Sequence, residues 1–354
     1  MKYFTRSTVV QSLTRIRRER LLPQNGEVVV RVGQDVAPMQ VVARTALETD
    51  IYLLPASDQL NVAPEELPQY LLVDEGTIVE QGMILAEKKQ FLGRKTVTSP
   101  VDGVVADVSN GRIILKQTLD WLELRAMLKG RVVSSIAVDR GVVIETTGSL
   151  IQAMWGSGQE GYGTIKIASE TAHDPLNVNG LNGETAGRIL VTGKIDRVDI
   201  LARAEEGNVR GLIAGSMPAT ICQMAASFSF PVILTDGIGD QSMAQPIFQL
   251  LQASEGREAS LFGQLQDHSG NRPEIIIPLE AGPGVEAPPL NKPIAVGQTV
   301  RILRPPYSSQ VGQVVRVYRH AQMTPIHTRA HGVDVRLADG HVVFIPSANL
   351  DIIT

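Results

Sequence analysis

Cysteine is almost absent from this chain, Cys222 being the only one in 354 residues. A single thiol excludes an intramolecular disulfide and any zinc site built from several cysteines. Aromatic residues are scarce at 4%. No apolar run approaches the ~18 residues of a helical membrane span. Neither charge dominates: 33 basic residues face 37 acidic ones, a net charge of −4. That balance is too near neutral to make the chain as a whole a binder of nucleic acid or membrane surfaces. The opening residues, Met1 to Arg6, reach polar and charged side chains before a signal-peptide core develops. The expectation is a globular protein of the cytoplasm with no membrane partner.

What is present in quantity is glycine (32) and proline (20), set among hydrophobic residues that make up 43% of the chain. Short Val/Ile-rich runs separated by these residues read as strands and tight turns. The length suits several domains, and the expected fold class is mainly β and multi-domain. Residues 1–25 differ in texture. The first 20 hold six basic residues (Lys2, Arg6, Arg15, Arg17, Arg18, Arg20) against Glu19 alone. Val9, Val10, Leu13 and Ile16 recur at helical spacing, which predicts a short basic amphipathic helix packed on its neighbour. Its charged face would also suit an acidic partner or nucleic acid.

From Gly26 to about residue 117, the stretches GEVVVRVGQDVAPMQVVA and YLLVDEGTIVEQGMILAEKK repeat one pattern of strand, glycine turn and strand. They lead to Ser99-Pro100-Val101-Asp102-Gly103-Val104-Val105. This segment resembles the barrel-sandwich hybrid fold of biotinyl and lipoyl carrier domains. The resemblance implies a cofactor-bearing lysine at a hairpin tip, and ungapped counting from Pro100 puts Leu92 there. Lys88, Lys89 and Lys95 lie nearby, outside the Met-Lys-Met or Asp-Lys-Ala setting of the carriers. No cofactor is therefore expected. Residues 118–180 read as a second β module. Gly156-Ser157-Gly158-Gln159-Glu160-Gly161 is formally a GxGxxG, but the next residues read as a strand, whereas dinucleotide binding needs a helix there. A β-turn flanked by Trp155 and Tyr162 is expected.

Residues 181–278 alternate strand and helix patterns. Gly215-Ser216, Phe230-Pro231-Val232-Ile233-Leu234 and Glu255 to Gly263 resemble the swivelling β/β/α domain of phosphoenolpyruvate-utilising enzymes. The resemblance implies a phosphoryl-accepting histidine, and Thr220 stands at that position. A threonine ester would be far more inert than a phosphoimidazole, so phosphotransfer is not expected. Cys222, on the same predicted helix, reads as a small core residue with a nucleophile as the alternative. Asp236 and Asp240 occupy a glycine-containing loop at a strand end, where they serve as turn residues or hold a cation or ligand.

Residues 279–295 read as a Pro/Gly-rich linker. Residues 296–354 give five short strands. Gly297, Val300, Ile302, Pro306-Tyr307, Gly312 and Val314 resemble an SH3-like barrel of the KOW type, which implies RNA, ribosomal or transcription partners. The segment carries six arginines and three aspartates, with no lysine. Arg301, Arg304, Arg316, Arg319 and Tyr307 are the candidate partner-binding residues. His327 and His331 have metal-ligand spacing but read as loop residues, and no metal is expected. The leading reading is a non-catalytic multi-module adaptor or scaffold with a protein partner, RNA through the C-terminal module being the other candidate. Two alternatives stand beside it. One is an enzyme with an inter-module site around Thr220, Cys222, Asp236, Asp240 and the Trp155–Tyr162 loop. The other is a nucleic-acid-binding factor using the C-terminal arginines and the basic arm.

Overall fold

The computed structural model describes residues 6–90, 93–136, 139–177, 181, 183–264, 272–280, 285–287, 293–324 and 326–353. The chain is mostly β, arranged in several sheets.

The basic N-terminal segment is a strand, Val10–Leu21, and not the expected helix. The reason lies in a second period within the same residues. Thr14, Ile16 and Arg20 alternate inward while Arg15, Arg17 and Glu19 face out, and β-branched residues suit that pleat better than a helix. The strand runs antiparallel to Gly141–Gln152, from Leu21 opposite Gly141 to Val10 opposite Ile151. Its arginines find carboxylates within the chain. Arg17 reaches Glu145 at 2.7 Å, Arg18 pairs with Glu274, and Arg20 makes two 2.7 Å bonds to Glu160 while its guanidinium lies 5.6 Å from the Phe262 ring centre. The arm is thus built into the fold.

Gly141–Gln152 belongs to an eleven-stranded sheet. Four of its strands, Glu160–Ile167, Arg188–Lys194, Gly211–Met217 and Val232–Ile238, run parallel in that spatial order. One sheet therefore holds strands from both the 118–180 and the 181–278 segments. Helices Asp199–Glu206 and Ala219–Ala225 cover one face through Ile200, Leu201, Ala204, Ile221 and Ala225. Helix Gln245–Gln252 covers the other through Ile247, Phe248 and Leu251. Burial from both sides explains why every residue of Gly211–Met217 is buried, a run without polar alternation. On helix Ala219–Ala225 the buried face is Ile221, Cys222 and Ala225, while Met224 stays 44% exposed.

The repeated pattern of residues 26–117 serves two different cores. Val30, Val36 and Val42 pack with Ile16, Leu128 and Ile144. Val73, Val79 and Leu85 pack with Leu60, Val97, Ile113 and Leu115. The two cores are joined by an antiparallel ribbon of Val41–Leu54 and Arg112–Arg125, each of 14 residues and so about 45 Å long when extended. At its far end Tyr52, Leu54, Ile113 and Leu115 face the core, whereas Ile51, Leu53 and Ile78 stand on the opposite, exposed face. Leu92 lies outside the described residues.

In the C-terminal segment five strands, Thr299–Ile302, Val311–Val317, Gly332–Leu337, Val342–Pro346 and Leu350–Ile353, share one sheet, and a separate short pair, Gln322–Met323 with Arg329–Ala330, adds two to the five expected. The sheet gains a sixth strand from the other end of the chain, because Arg6–Thr8 pairs in parallel with Leu350–Ile353. The described pairings leave this sheet open, with Arg6–Thr8 at one edge and Val342–Pro346 at the other.

The two faces of the ribbon differ in burial, and this predicts a contrast in stability. Leu115→Ala should cost about 2–5 kcal/mol, measured by urea denaturation, because it empties part of a closed core. Leu53→Ala, on the exposed face, should stay within about 0.5 kcal/mol.

Candidate functional site

The parallel strands point their C-terminal ends at one edge of the sheet, the position where α/β proteins commonly place ligands. Val232–Ile238 delivers Thr235 and Asp236 there, and both are buried. Against them the C-terminal sheet inserts Arg301, 1% exposed, from Thr299–Ile302. Its Nη1 donates to Asp236 Oδ1 and to the Thr235 carbonyl, both at 2.8 Å. Its Nη2 donates to Asp351 Oδ2 at 2.7 Å and reaches Thr8 Oγ1 at 3.4 Å. The Thr8 hydroxyl also donates to Asp351, and Arg272 donates to Thr8 Oγ1 at 2.6 Å. The other oxygen of Asp236 accepts the Thr235 hydroxyl at 2.7 Å and the Ala244 N–H at 3.0 Å. Burial by itself pulls the Arg301 guanidinium down, but Asp236 and Asp351 outweigh this and hold it above its ordinary value. Three sequence-distant segments are fastened here by paired, hydrogen-bonded charge, the condition under which buried ions persist.

A cavity of about 540 Å³ opens beside the cluster, with Met154, Trp155, Asp236, Gln241, Arg301 and Arg304 in its wall. Three buried polar atoms of the cluster and the neighbouring Gln241 have no hydrogen-bond partner: Arg301 Nε, Asp351 Oδ1 and Gln241 Oε1.

No protein-family model matches the chain, and no curated protein matches it either. Among solved structures, the solution NMR structure of a UPF0107 protein is 12% identical over 36% of this chain and 98% of its own, with a TM-score of 0.25. So distant a likeness carries nothing about the function of this protein.

The candidates from sequence are dispersed. Asp236 and Arg301 meet, but as a structural ion pair. Asp236 is therefore not an open cation ligand, and Arg301 is not a surface residue for a macromolecular partner. Asp240 turns away to Lys194, 2.7 Å distant, so the two loop carboxylates do not converge. Thr220 is exposed on helix Ala219–Ala225 and is not part of the cavity wall. Cys222 is buried, its thiol donates to the Met217 carbonyl at 3.6 Å, and desolvation pushes it up to about 11. In the GxGxxG, side chains at Gly156 and Gly161 would meet the backbone oxygens of Gly263 and Arg210. Those glycines permit close strand packing, and Val232 N–H donates to Ser157 Oγ at 2.9 Å. Arg304, Arg316 and Arg319 are exposed, while Tyr307 packs partly buried on the C-terminal core. Among the described residues no group of three or more metal-ligating side chains gathers, His327 and His331 included.

Sequence reasoning missed a hydroxyl–imidazole pair, His173 Nδ1 and Ser242 Oγ at 2.5 Å. The residues are 69 apart and sit in polar loops without a motif, so nothing in the sequence marks them. The pair is exposed. No carboxylate is hydrogen-bonded to the imidazole among the described residues, so it lacks the third group that orients a catalytic base.

Two outcomes follow from these environments. Asp236→Asn should destabilise the protein by about 3–5 kcal/mol in urea denaturation, since it leaves a buried guanidinium short of one anion. Lys194→Ala, which removes a solvent-facing pair, should cost under about 1 kcal/mol. At pH 8 a thiol held near 11 is about one part in a thousand thiolate. Labelling of Cys222 by a disulfide reagent should therefore run about a hundredfold slower in the native than in the denatured protein.

Proposed function

We propose that the chain is a non-catalytic multi-module adaptor that presents its C-terminal module to an acidic partner. In this reading residues 26–117 carry a barrel-sandwich-like pattern without a carrier lysine, divided between two cores. Residues 181–278 are a swivelling-type module without its histidine, and residues 296–354 are a KOW-like module. The observation that carries it is the disposition of charge on the last of these. Arg304, Arg316, Arg319, Arg329 and Arg336 are exposed. The three aspartates of the segment are already engaged: Asp351 with Arg301, Asp339 with His341, and Asp334 with the Tyr318 hydroxyl at 2.8 Å. The basic surface is thus offered outward, and arginine suits planar, bidentate contact with carboxylates or phosphates. A protein partner with an acidic face is the first reading.

RNA is the second reading, favoured by one local arrangement. Register places Arg316 opposite Asp334, Arg336 two residues along the same strand, and Phe344 opposite Asp334 from the other side. The Arg316 guanidinium lies 4.6 Å from the Tyr318 ring centre, and the Tyr318 and Phe344 rings meet edge-on at 5.7 Å. Arginines interleaved with aromatics on a sheet face suit stacked bases.

The test is the paired variant Arg316→Glu/Arg336→Glu in the full chain. Partner recovery by affinity purification from the native host should fall at least about tenfold, while the thermal midpoint moves by no more than a few degrees. Unchanged recovery of the same partners would sink this reading. Retention of poly(U) at low salt, lost in the variant and weakening steeply as salt rises, would select RNA over protein.

A further inference from the structure

We propose that the exposed sheet face at the far end of the ribbon is the contact through which two copies of this chain pair. The face lies on a different module from the Arg316–Arg336 surface, and pairing there goes beyond the adaptor reading without depending on it. Strand register assembles the face, since residues opposite one another share a side of the sheet. Ile51 stands opposite Lys116, Lys116 opposite Val104, and Val104 opposite Ile78, one row across four antiparallel strands. In the next row Leu53 stands opposite Ile114, and Ile114 opposite Asp107. The alternate residues Tyr52, Val79, Val105, Ile113 and Leu115 point the other way, into the core. These strands are therefore apolar on both sides. An antiparallel sheet with one solvated face alternates apolar with polar residues, and loss of that alternation is the mark of a sheet covered twice. Yet Ile78 is 78% exposed, Ile51 67% and Leu53 55%, so the described residues supply no second cover.

The charges on the face select a second copy as that cover. It carries one of each sign, Lys116 and Asp107, on adjacent strands and two residues out of register. A face of one sign would call for a foreign partner of the other, whereas this one complements itself. A two-fold axis in the plane of the interface, passing between the two residues, sets Lys116 of each copy over Asp107 of the other. On the lattice of the sheet that axis runs from Leu53 towards Ile78, so both apolar side chains meet their own counterparts. Sheets of equal twist pack face to face in this manner. Lys116 has an interaction within its own chain, and Ser109 donates to Asp107 Oδ2 at 2.8 Å. Neither blocks the exchange, because an ammonium has three donors and a carboxylate about four acceptor sites. Four strands span only ~15–20 Å, so the interface is small and the pairing weak and concentration-dependent.

The test is sedimentation equilibrium of the full chain from ~1 to ~200 µM, which should show a monomer–dimer equilibrium with Kd of about 10 µM. Below ~1 µM the chain is then monomeric, and denaturation there reads the single chain. Ile78→Glu should remove the dimer up to ~200 µM, while the thermal midpoint measured at ~1 µM stays unchanged. Lys116→Glu and Asp107→Lys should each weaken self-pairing at least about tenfold, because each sets like charges against each other. Mixed in equal amounts, the two variants should pair with one another about as well as the natural chain pairs with itself, since both crossing contacts are again of opposite sign. The proposal is overturned if the natural chain stays monomeric at ~200 µM, if Ile78→Glu leaves the equilibrium unchanged, or if the two charge variants pair no better mixed than alone.

Discussion

The arrangement of this protein depends on one buried guanidinium. Arg301 arrives from the C-terminal sheet, Asp236 from the end of a parallel strand, and Asp351 from the last strand, with Thr8 completing the set from the N-terminal strand. Each ion would be expelled from the interior if it stood alone. Together they are tolerated only in one relative placement of three segments, so the cluster acts as a geometric constraint more than as a source of net stability. The constraint extends along the chain. Thr8 is held by Asp351 and by Arg272, Arg6–Thr8 pairs with Leu350–Ile353, and the following strand runs antiparallel along Gly141–Gln152. The first and last strands of the chain are thereby locked into one body.

The same principle explains the fate of the N-terminal arginines. A strand that points Arg18 and Arg20 inward would be unstable without acids waiting for them. Glu274 and Glu160 supply those acids from strands more than a hundred residues away. In sequence the arginines look like an unpaired basic arm, because nothing local reveals their partners. The helical spacing of Val9, Val10, Leu13 and Ile16 was equally real, but the alternation of Thr14, Ile16 and Arg20 prevailed. The neighbouring strand Gly141–Gln152 offered an edge to pair with, and a short isolated helix has little to stabilise it.

Much of the β character and most of the α/β elements were legible, because they rest on local periodicity. The strand, helix, strand order from Arg188 to Met217 and the strand entry at Pro231 follow from apolar runs and glycine turns alone. Sheet membership was not legible. The pairing of Glu160–Ile167 with both Arg188–Lys194 and Glu258–Phe262 depends on which edges are free once neighbouring strands have formed. The two copies of the GEVVVRVG-like pattern show the same limit. They look alike in sequence but join different cores, because the ribbon separating them is long and its partner strand lies some seventy residues on.

For the candidate site the sequence singled out Asp236 and Arg301 individually and mistook what each was for. An aspartate in a glycine loop and an arginine in a basic strand both look like surface chemistry when their burial is unknown. Once placed 65 residues apart in sequence and 2.8 Å apart in space, they satisfy each other, and the question of function moves to what remains unsatisfied. What remains on the C-terminal module is a set of exposed arginines whose neighbouring acids are engaged. They form a broad, solvated surface, where binding is strongest in dilute salt and gains from many contacts. Arg301 is withheld from that surface, because its ion pair with Asp236 commits the charge to fastening the module to the end of the parallel strands.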